Sequence, residues 1–352
     1  MISIKEARKL TSFFASNEYS YDSLEKNEIL YRIFNKSEEI RVNDIPQELY
    51  HKLESFLDSK VLVKNNGHVS SVVKIIPFMD CWFFVDSPIL ASATDKMREL
   101  YISNVDGYYS YIGGDGLTLG NYATKYLSSN NNGILLDLCS GSGLLGISLS
   151  PYFNKVYGVE IDKRAYEWMS FNSKLNKVYN FSPLHGNLFE PVKENGPFDV
   201  IIGNPPYSFL PTKFVSDYNI SRNEIAKDYG LEHTLRIVDN LDEYLGKNGT
   251  VFLCTSMPFI NGENYLINRL KKMYSSNKFV FSFTYLYKFM HEDFKKFYHN
   301  YGITKLYFSI IKISRGKNFK ISEKFSSHYF LSIFSILKKY KYFRGLYRKI
   351  WK

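Results

Sequence analysis

From Ile134 onward, short apolar runs alternate with segments of helical pattern, and this alternation limits the fold more than any other feature of the chain. Apolar runs of five or six residues are typical of strands buried on both faces of a sheet. Four such runs are Ile134–Leu138, Lys155–Val159, Phe198–Ile202 and Thr250–Thr255. The pattern predicts a doubly wound, seven-stranded, mostly parallel α/β sheet of the Rossmann-like type.

The remaining elements of this region fit the same sheet. Helical patterns at Arg164–Leu175 and Leu231–Leu245 predict two crossover helices, the second closed by Gly246. Two β-like runs, Val280–Leu286 and Ile303–Ile313, predict a terminal antiparallel pair.

The first hundred residues have a different pattern. Residues 3–34 and 48–57 read as helical, and the runs Val69–Pro77 and Cys81–Val85 read as a short hairpin. A small helical, winged-helix-like domain and a cap that covers the catalytic region are both open interpretations. We predict an N-terminal substrate-recognition or cap domain at 1–105, a catalytic domain at 106–314 and a basic, aromatic C-terminal tail at 315–352.

Charge is concentrated in that tail. The chain of 352 residues has 45 Lys and Arg against 35 Asp and Glu, a net charge of +10. Residues 315–352 hold 11 of the basic side chains and one acidic one, so 34 of each remain in residues 1–314. An amphipathic helix on an anionic membrane, a phosphate-binding arm and a helix docked on the body are all open interpretations.

The chain shows no pattern of a metal site or of a membrane span. Its three cysteines, Cys81, Cys139 and Cys254, form no Cys-x-x-Cys pair, and their small, odd number favours a reducing cytoplasm. The N-terminus lacks the apolar core of a signal peptide, and no apolar run reaches the roughly 20 residues of a transmembrane helix. We therefore expect a cytoplasmic protein without a metal.

A glycine-rich turn follows the first predicted strand, in Asp137-Leu138-Cys139-Ser140-Gly141-Ser142-Gly143. Glycine lets the backbone approach a ligand closely, and free N–H groups at a strand end face the ligand crevice of an open α/β sheet. The turn lacks the third glycine of the dinucleotide fingerprint. S-adenosylmethionine (SAM) has no pyrophosphate, so a shorter turn suffices. A tight turn of purely structural role remains the alternative.

Two further residues lie where a SAM site needs acceptors. Glu160 ends the second predicted strand, about 20 residues past the turn, where a carboxylate accepts from ribose hydroxyls. Asp162 is its rival for that role. Asn187 falls where the third strand should end, so its oxygen can accept from the adenine amino group while Leu188 packs on the ring.

The loop Asn204-Pro205-Pro206-Tyr207 follows the strand Phe198–Ile202. The prolines fix φ and remove two backbone donors, so the loop offers acceptors: the Asn204 side-chain oxygen and the Pro205 carbonyl. Two rigid acceptors suit a nitrogen with two N–H bonds, such as an amide or an aryl amino group, and Tyr207 can pack on its flat face. The alternative is a rigid Pro-Pro turn.

The ordered set of turn, Glu160, Asn187 and Asn204–Tyr207 resembles the class I SAM-dependent N-methyltransferases. The stretch from Gly186 to Tyr207, with the lead-in Gly113–Leu119, looks most like the glutamine-amide methyltransferases of peptide release factors. The resemblance covers about residues 111–313. Three features depart from that group: Asn187 replaces the usual Asp, Ser208 replaces an aliphatic residue, and the N-terminal region is not all helical.

The resemblance implies a SAM-dependent methyltransferase that acts on a planar amide or amino nitrogen of a protein, peptide or small molecule. It assigns Asn204, Pro205 and Tyr207 to catalysis and Pro206 and Tyr207 to substrate binding. Cofactor binding falls to Asp137, Ser140, Gly141, Gly143, Glu160, Asn187 and Leu188. An RNA or DNA adenine methyltransferase whose tail contacts phosphates, a tailoring enzyme of natural products and a non-catalytic SAM-binding module remain the alternatives.

Overall fold

The computed structural model describes residues 2–16, 28–57, 61–87, 112–127, 133–210, 226–275, 279–288 and 295–326. The N-terminal region has three helices and five strands within these ranges. The helices are α1 (Ile4–Ser16), α2 (Glu28–Phe34) and α3 (Gln47–Glu54). The strands are β1 (Ile40–Arg41), β2 (Leu62–Asn65), β3 (His68–Ser71), β4 (Val73–Phe78) and β5 (Cys81–Asp86).

The N-terminal strands form two separate sheets. One is a three-stranded antiparallel sheet in the order β1-β3-β2, and the other is the β4–β5 hairpin. The prediction of one continuous run over Val69–Pro77 was wrong, because the chain leaves the first sheet at Ser71. The Ser71 hydroxyl donates to the Val73 carbonyl at 2.7 Å and so stabilises the bend between the strands.

The catalytic region follows with the larger set of elements. Its strands are β6 (Ile134–Leu138), β7 (Lys155–Glu160), β8 (Phe181–His185), β9 (Phe198–Gly203), β10 (Leu245–Ile260), β11 (Glu263–Asn264), β12 (Phe279–Lys288), β13 (Ile303–Arg315) and β14 (Lys320–Phe325). Its helices are α4 (Gly114–Ala123), α5 (Leu144–Leu149), α6 (Lys163–Leu175), α7 (Glu232–Asp239), α8 (Leu241–Tyr244), α9 (Tyr265–Tyr274) and α10 (Lys295–Asn300).

The central sheet confirms the predicted fold class. Its strand order is β8-β7-β6-β9-β10-β13-β12-β14, with β11 paired to β10. Strands β6 to β10 pair in parallel, and β13 is antiparallel to both β10 and β12, as predicted. Strand β14 adds an exposed edge beyond the seven predicted strands, and it lies within the segment that we assign to the C-terminal tail.

Alternate residues of the central strands supply two apolar cores, one on each face of the sheet. Leu136 and Ile201 belong to one core, and Leu135 and Ile202 belong to the other. The β4–β5 hairpin joins the second of these cores to the N-terminal core, since Phe83 packs into the former and Phe84 into the latter. Two-sided burial explains why these strands read as continuous apolar runs.

The helix predicted over Leu231–Leu245 was wrong in its length. The chain breaks at Asn240, between α7 and α8, and β10 begins at Leu245. The Asn240 side chain donates to the Arg236 carbonyl at 2.8 Å, which satisfies a carbonyl that a continuous helix would use.

Several sequence features lie outside the described residues. They include residues 104–111 of the predicted domain boundary and residues 329–352 of the tail. Within the described ranges, no helix is long and apolar enough to cross a membrane.

Candidate active site

A cavity of about 250 Å³ opens at the carboxyl ends of the parallel strands. Its walls come from the turn after β6, the end of β7, the loops after β8 and β9, and helices α4 and α7. This is the crevice where open α/β sheets bind their ligands. Of the residues predicted from sequence, Ser140, Gly141, Glu160, Asn187, Leu188, Asn204 and Pro206 line it.

The glycine turn presents Gly141 to the cavity and rests on the buried carboxyl group of Asp137. Gly141 lines the cavity with φ of +57°, and a Cβ built on it meets open space, so a close ligand finds no side chain there. Asp137 is fully buried and accepts from Ser140 Oγ at 2.5 Å and from Gly146 N at 2.8 Å. Burial raises the pKa of Asp137 to about 7. Asp137 thus holds the shape of the turn from below.

Glu160 stands at the end of β7 with both carboxylate oxygens engaged. Oε2 accepts from Gly141 N at 2.8 Å, and Oε1 accepts from Asp162 N at 2.8 Å. Each oxygen keeps a second lone pair, because a carboxylate has about four acceptor sites. Burial raises the pKa of Glu160, while these backbone donors oppose the rise. Glu160 therefore ties the turn to the strand end and still faces the cavity.

Asp162 has a different structural role. Its side chain accepts from Ala165 N at 2.7 Å and caps the N-terminus of α6. It is not among the residues that line the cavity. Of the two acidic residues, Glu160 is therefore the one that faces the cavity.

Asn187 lies two residues after β8 within a small polar network. Its Nδ2 donates to Glu190 Oε1 at 3.3 Å, and its Oδ1 accepts from Arg236 Nη2 at 3.3 Å. These partners orient the amide with the oxygen on the side of α7. Leu188 lines the cavity beside it, with φ of +48° and 8% of its surface exposed.

A carboxylate from α4 orders the loop Asn204–Tyr207, which we call the acceptor loop. Asp115 Oδ2 accepts from Asn204 Nδ2 at 2.9 Å and from the Tyr207 hydroxyl at 2.9 Å. Since a carboxylate only accepts, the nitrogen of the Asn204 amide must face Asp115 and the oxygen must face away. Asn204 Oδ1 is buried, and among the described residues no group donates to it. The loop therefore holds one oriented, unsatisfied acceptor.

The other predicted residues of the loop lie beside the cavity. Pro206 lines it, whereas Pro205 is buried and Tyr207 packs its ring 5.4 Å from Phe308. Gly143, in the cofactor turn, also lies beneath the cavity, where a Cβ would meet Ile147 at 2.6 Å. Pro205, Tyr207 and Gly143 therefore lie behind the residues that line the cavity.

A run of left-handed residues supports the loop from the other side. Asp228, Tyr229 and Gly230 have φ of +49°, +58° and +88°. A Cβ on Gly230 would lie 2.1 Å from the Tyr207 carbonyl oxygen, so only glycine allows this approach. Ser256 Oγ donates to the Tyr229 carbonyl at 3.2 Å and holds the run in place.

Sequence reasoning missed four residues of the site: Asp115, Cys139, His233 and Arg236. Burial raises the pKa of the Cys139 thiol and lowers the pKa of His233, so both face the cavity as neutral groups at pH 7. Asp115 and Cys139 had a signal, because they lie within the lead-in Gly113–Leu119 and the glycine turn Asp137–Gly143. His233 and Arg236 are single residues within a helix, and no spacing marks them.

Comparisons with known proteins find similarity to methyltransferases. A family model described as the methyltransferase small domain matches residues 120–220. The chain is 27% identical over 263 residues to a release factor glutamine methyltransferase of Mycoplasma mycoides subsp. mycoides, covering 69% of this chain and 83% of that protein. It is 36% identical over 153 residues to a putative protein N5-glutamine methyltransferase of Methanocaldococcus jannaschii, covering 42% of this chain and 74% of that protein.

Among solved structures, the M. jannaschii TYW2 protein in complex with AdoMet is 17% identical to the chain. The alignment covers 72% of this chain and 92% of that one, with a TM-score of 0.41. This likeness is too low to add to what the strand order of the sheet already shows.

Proposed function

The chain belongs to the class I SAM-dependent N-methyltransferases of the release-factor glutamine methyltransferase group, and we propose that it methylates the side-chain amide nitrogen of a glutamine in a protein. The proposed methyl acceptor follows from two relatives of the chain. One is a release factor glutamine methyltransferase, and the other is a putative protein N5-glutamine methyltransferase. By the same relation, a peptide-chain release factor is the proposed substrate.

The observation that carries the proposal is the unsatisfied oxygen of Asn204. A buried acceptor without a donor costs roughly 1–3 kcal/mol, so its presence beside a cavity indicates a ligand with an N–H group. A glutamine amide has two N–H bonds and is planar. We assign one N–H to Asn204 Oδ1 and the other to the Pro205 carbonyl.

Asp115 supports this assignment by fixing the amide of Asn204. An asparagine amide that rotates by 180° would present its NH₂ group to the substrate and repel the substrate's own N–H bonds. Because Asp115 Oδ2 accepts from Asn204 Nδ2, the rotated state would place an oxygen against a carboxylate. Asp115 thus keeps the acceptor facing the substrate, and Tyr207 shares the same carboxylate oxygen.

The residues around the cavity fit SAM as the methyl donor. Glu160 has free lone pairs for the ribose hydroxyls, and Gly141 leaves space for close approach. We assign the adenine to Leu188 and to the Asn187 oxygen, which has a second lone pair beside Arg236. When bound, SAM supplies a methyl group activated by the positive charge of its sulfonium.

The chain's own contribution to the reaction is position and electrostatics. Asn204 and Pro205 hold the amide nitrogen for in-line attack, at the roughly 3–3.5 Å of a near-attack geometry. As nitrogen gains positive charge, the same two acceptors stabilise it through its N–H bonds. As the N–C bond forms, the bond from the methyl carbon to sulfur would break and leave a neutral thioether, and the nitrogen would give up one proton to water as the methylated amide forms.

The alternatives concern the acceptor molecule. An RNA or DNA base was predicted to use the basic tail for phosphates, and residues 327–352 of that tail lie outside the described residues. Nucleic-acid contact and membrane contact through the tail therefore remain predictions, and so does the cytoplasmic location.

A labelling experiment separates these acceptors. The protein is incubated with methyl-tritiated SAM and with protein, RNA and small-molecule fractions of a lysate. We expect label in the protein fraction that survives ribonuclease and is absent with the Asn204→Ala enzyme. Label confined to RNA or to small molecules would contradict the proposal.

A further inference from the structure

One face of α6 carries polar side chains that pair with the edge of strand β5. Trp168 and Asn172 of the helix and Asn176, which caps its C-terminus, are spaced four apart, and their strand partners are spaced two apart. The pairs are Trp168 with Asp86, Asn172 with Phe84, and Asn176 with Trp82. Four helical residues rise about 6.0 Å and two strand residues about 6.6 Å, so the two repeats stay in register. The asparagine side chains thus bond to backbone groups at the edge of β5, as a neighbouring strand would.

The two asparagines make the same pair of bonds with the strand. Asn176 accepts from Trp82 N and donates to the Trp82 carbonyl, both at 2.8 Å. Asn172 accepts from Phe84 N at 2.9 Å and donates to the Phe84 carbonyl at 3.0 Å. Each side-chain amide therefore satisfies both backbone groups of one strand residue.

Asn172 differs from Asn176 in its third bond. Its Nδ2 also donates to the Ser142 carbonyl at 3.0 Å, and Ser142 belongs to the glycine turn that lines the cavity. The third bond of Asn176, the residue that follows α6, goes back to the carbonyl of Asn172. Asn172 is fully buried, so water cannot replace its bond to the turn.

We infer that Asn172 is a positioning residue that couples the N-terminal hairpin to the cofactor turn. The turn contains Gly141 and Gly143 in left-handed conformations, and glycine alone restrains such a backbone weakly. A fixed donor on the Ser142 carbonyl supplies the missing restraint. Because coupling is reciprocal, SAM bound at the turn should also stabilise β5, which does not line the cavity. The role of Asn172 rests on the proposal that this cavity holds SAM.

The matched pair of asparagines gives the test. Asn172→Leu and Asn176→Leu each remove the two bonds to β5 and keep a similar volume, but only the first removes the bond to Ser142. We expect Asn172→Leu to raise the Kd of SAM about tenfold in calorimetric titration. Asn176→Leu should change the Kd less than about twofold, and kcat at saturating SAM should stay within about twofold for both. Equal changes in Kd would overturn the inference.

A second measurement needs no variant and so does not depend on how Asn172→Leu folds. Amide hydrogen exchange is followed in the wild-type protein with and without SAM. We expect SAM to slow exchange at Phe84 and Trp82 on β5, and to leave the β2–β3 hairpin unchanged. If wild type binds SAM and β5 shows no change, the coupling is wrong. If wild type binds no SAM, the proposed function itself fails.

Discussion

Glu160 and Asn204 both face the cavity from the ends of parallel strands, yet their side-chain oxygens differ in their hydrogen bonds. Each oxygen of Glu160 already accepts a backbone N–H. The oxygen of the Asn204 amide is buried, and no described group donates to it. We propose that Glu160 is held in place before its ligand arrives, whereas Asn204 keeps one acceptor open for the substrate.

This difference predicts that the affinity for SAM and the rate of methyl transfer depend on different residues of the same cavity. Residues that hold the turn should set the affinity for SAM. The open acceptor should act most strongly as charge develops on the substrate nitrogen, and so should set the rate.

The largest effect is expected for Asn204→Ala. Removing an electrostatic partner of the reacting group typically costs 10²–10³ in kcat, so we expect a fall of about that size. The Kd of SAM should stay within about twofold, because the side chain is assigned to the acceptor. Single-turnover methyl transfer and calorimetric titration measure the two quantities.

Asn195→Ala is the matched control for this variant. Asn195 donates to the Tyr157 hydroxyl at 3.3 Å and does not line the cavity, so its loss should leave both quantities near those of wild type. Near-normal turnover of Asn204→Ala would show that the open acceptor of Asn204 does not set the rate.

Glu160→Gln should give the opposite result. A glutamine replaces one acceptor oxygen by an NH₂ group, which then faces either the Gly141 or the Asp162 N–H and loses a bond to the ribose. We expect the Kd of SAM to rise about thirtyfold, with kcat at saturating SAM within about threefold of wild type. A fall in kcat at saturating SAM as large as that of Asn204→Ala would show that Glu160 contributes to the rate as much as Asn204 does, and that affinity and rate are not set by different residues.

Asp115 should have a smaller effect on rate than Asn204, because it acts through that residue. We expect Asp115→Ala to lower kcat about tenfold, since the freed amide of Asn204 can then rotate. Tyr207→Phe removes only the second donor to Asp115 and should lower kcat about threefold. If Asp115→Ala lowers kcat equally in the wild-type and Asn204→Ala backgrounds, the positioning role is wrong.

A separate prediction concerns stability and not activity, and it tests whether the cofactor turn is stable without its ligand. The folded protein keeps Asp137 protonated up to about pH 7, whereas the unfolded chain loses that proton near 3.8. The stability from the neutral acid is therefore present below about pH 4 and is lost as pH rises to 7. Asp137→Asn stays neutral and keeps an acceptor for Ser140 Oγ and Gly146 N.

Urea unfolding of both proteins between pH 4 and pH 8 measures this effect. The free energy of unfolding of Asp137→Asn relative to wild type should rise by about 1.4 kcal/mol per pH unit between pH 4 and pH 7 and level off above pH 7. A pH-independent difference would mean that Asp137 is ionised in the folded turn.

The catalytic sheet could be predicted well from the sequence, because its strands are buried on both faces. The run Ile134–Leu138 is strand β6 residue for residue, and the observed β7 and β9 each extend one residue beyond the prediction. Strand β14 was missed because its side chains are mostly exposed and charged, so it has no apolar run. The two-residue strand β1 is too short to show a pattern.

The candidate site also has residues that the sequence predicted and residues that it did not. Glu160 and Asn204 were predicted because Glu160 ends β7 and Asn204 directly follows β9, at the edge of the sheet where an open α/β fold binds its ligand. Asp115 and Asn172 were missed as functional residues because their roles depend on partners 89 and 30 residues away. Such contacts exist only after the helices pack on the sheet, and local spacing does not encode them.

The central claim, that the methyl group goes to a glutamine amide of a protein, is tested most directly by tandem mass spectrometry. Unmethylated release factor is incubated with SAM and the wild-type protein, then digested and sequenced. We predict a gain of one methyl group, about 14 Da, on the side chain of a single glutamine, and no gain with Asn204→Ala. Transfer to the peptide backbone, to another residue type or to RNA alone would contradict the account.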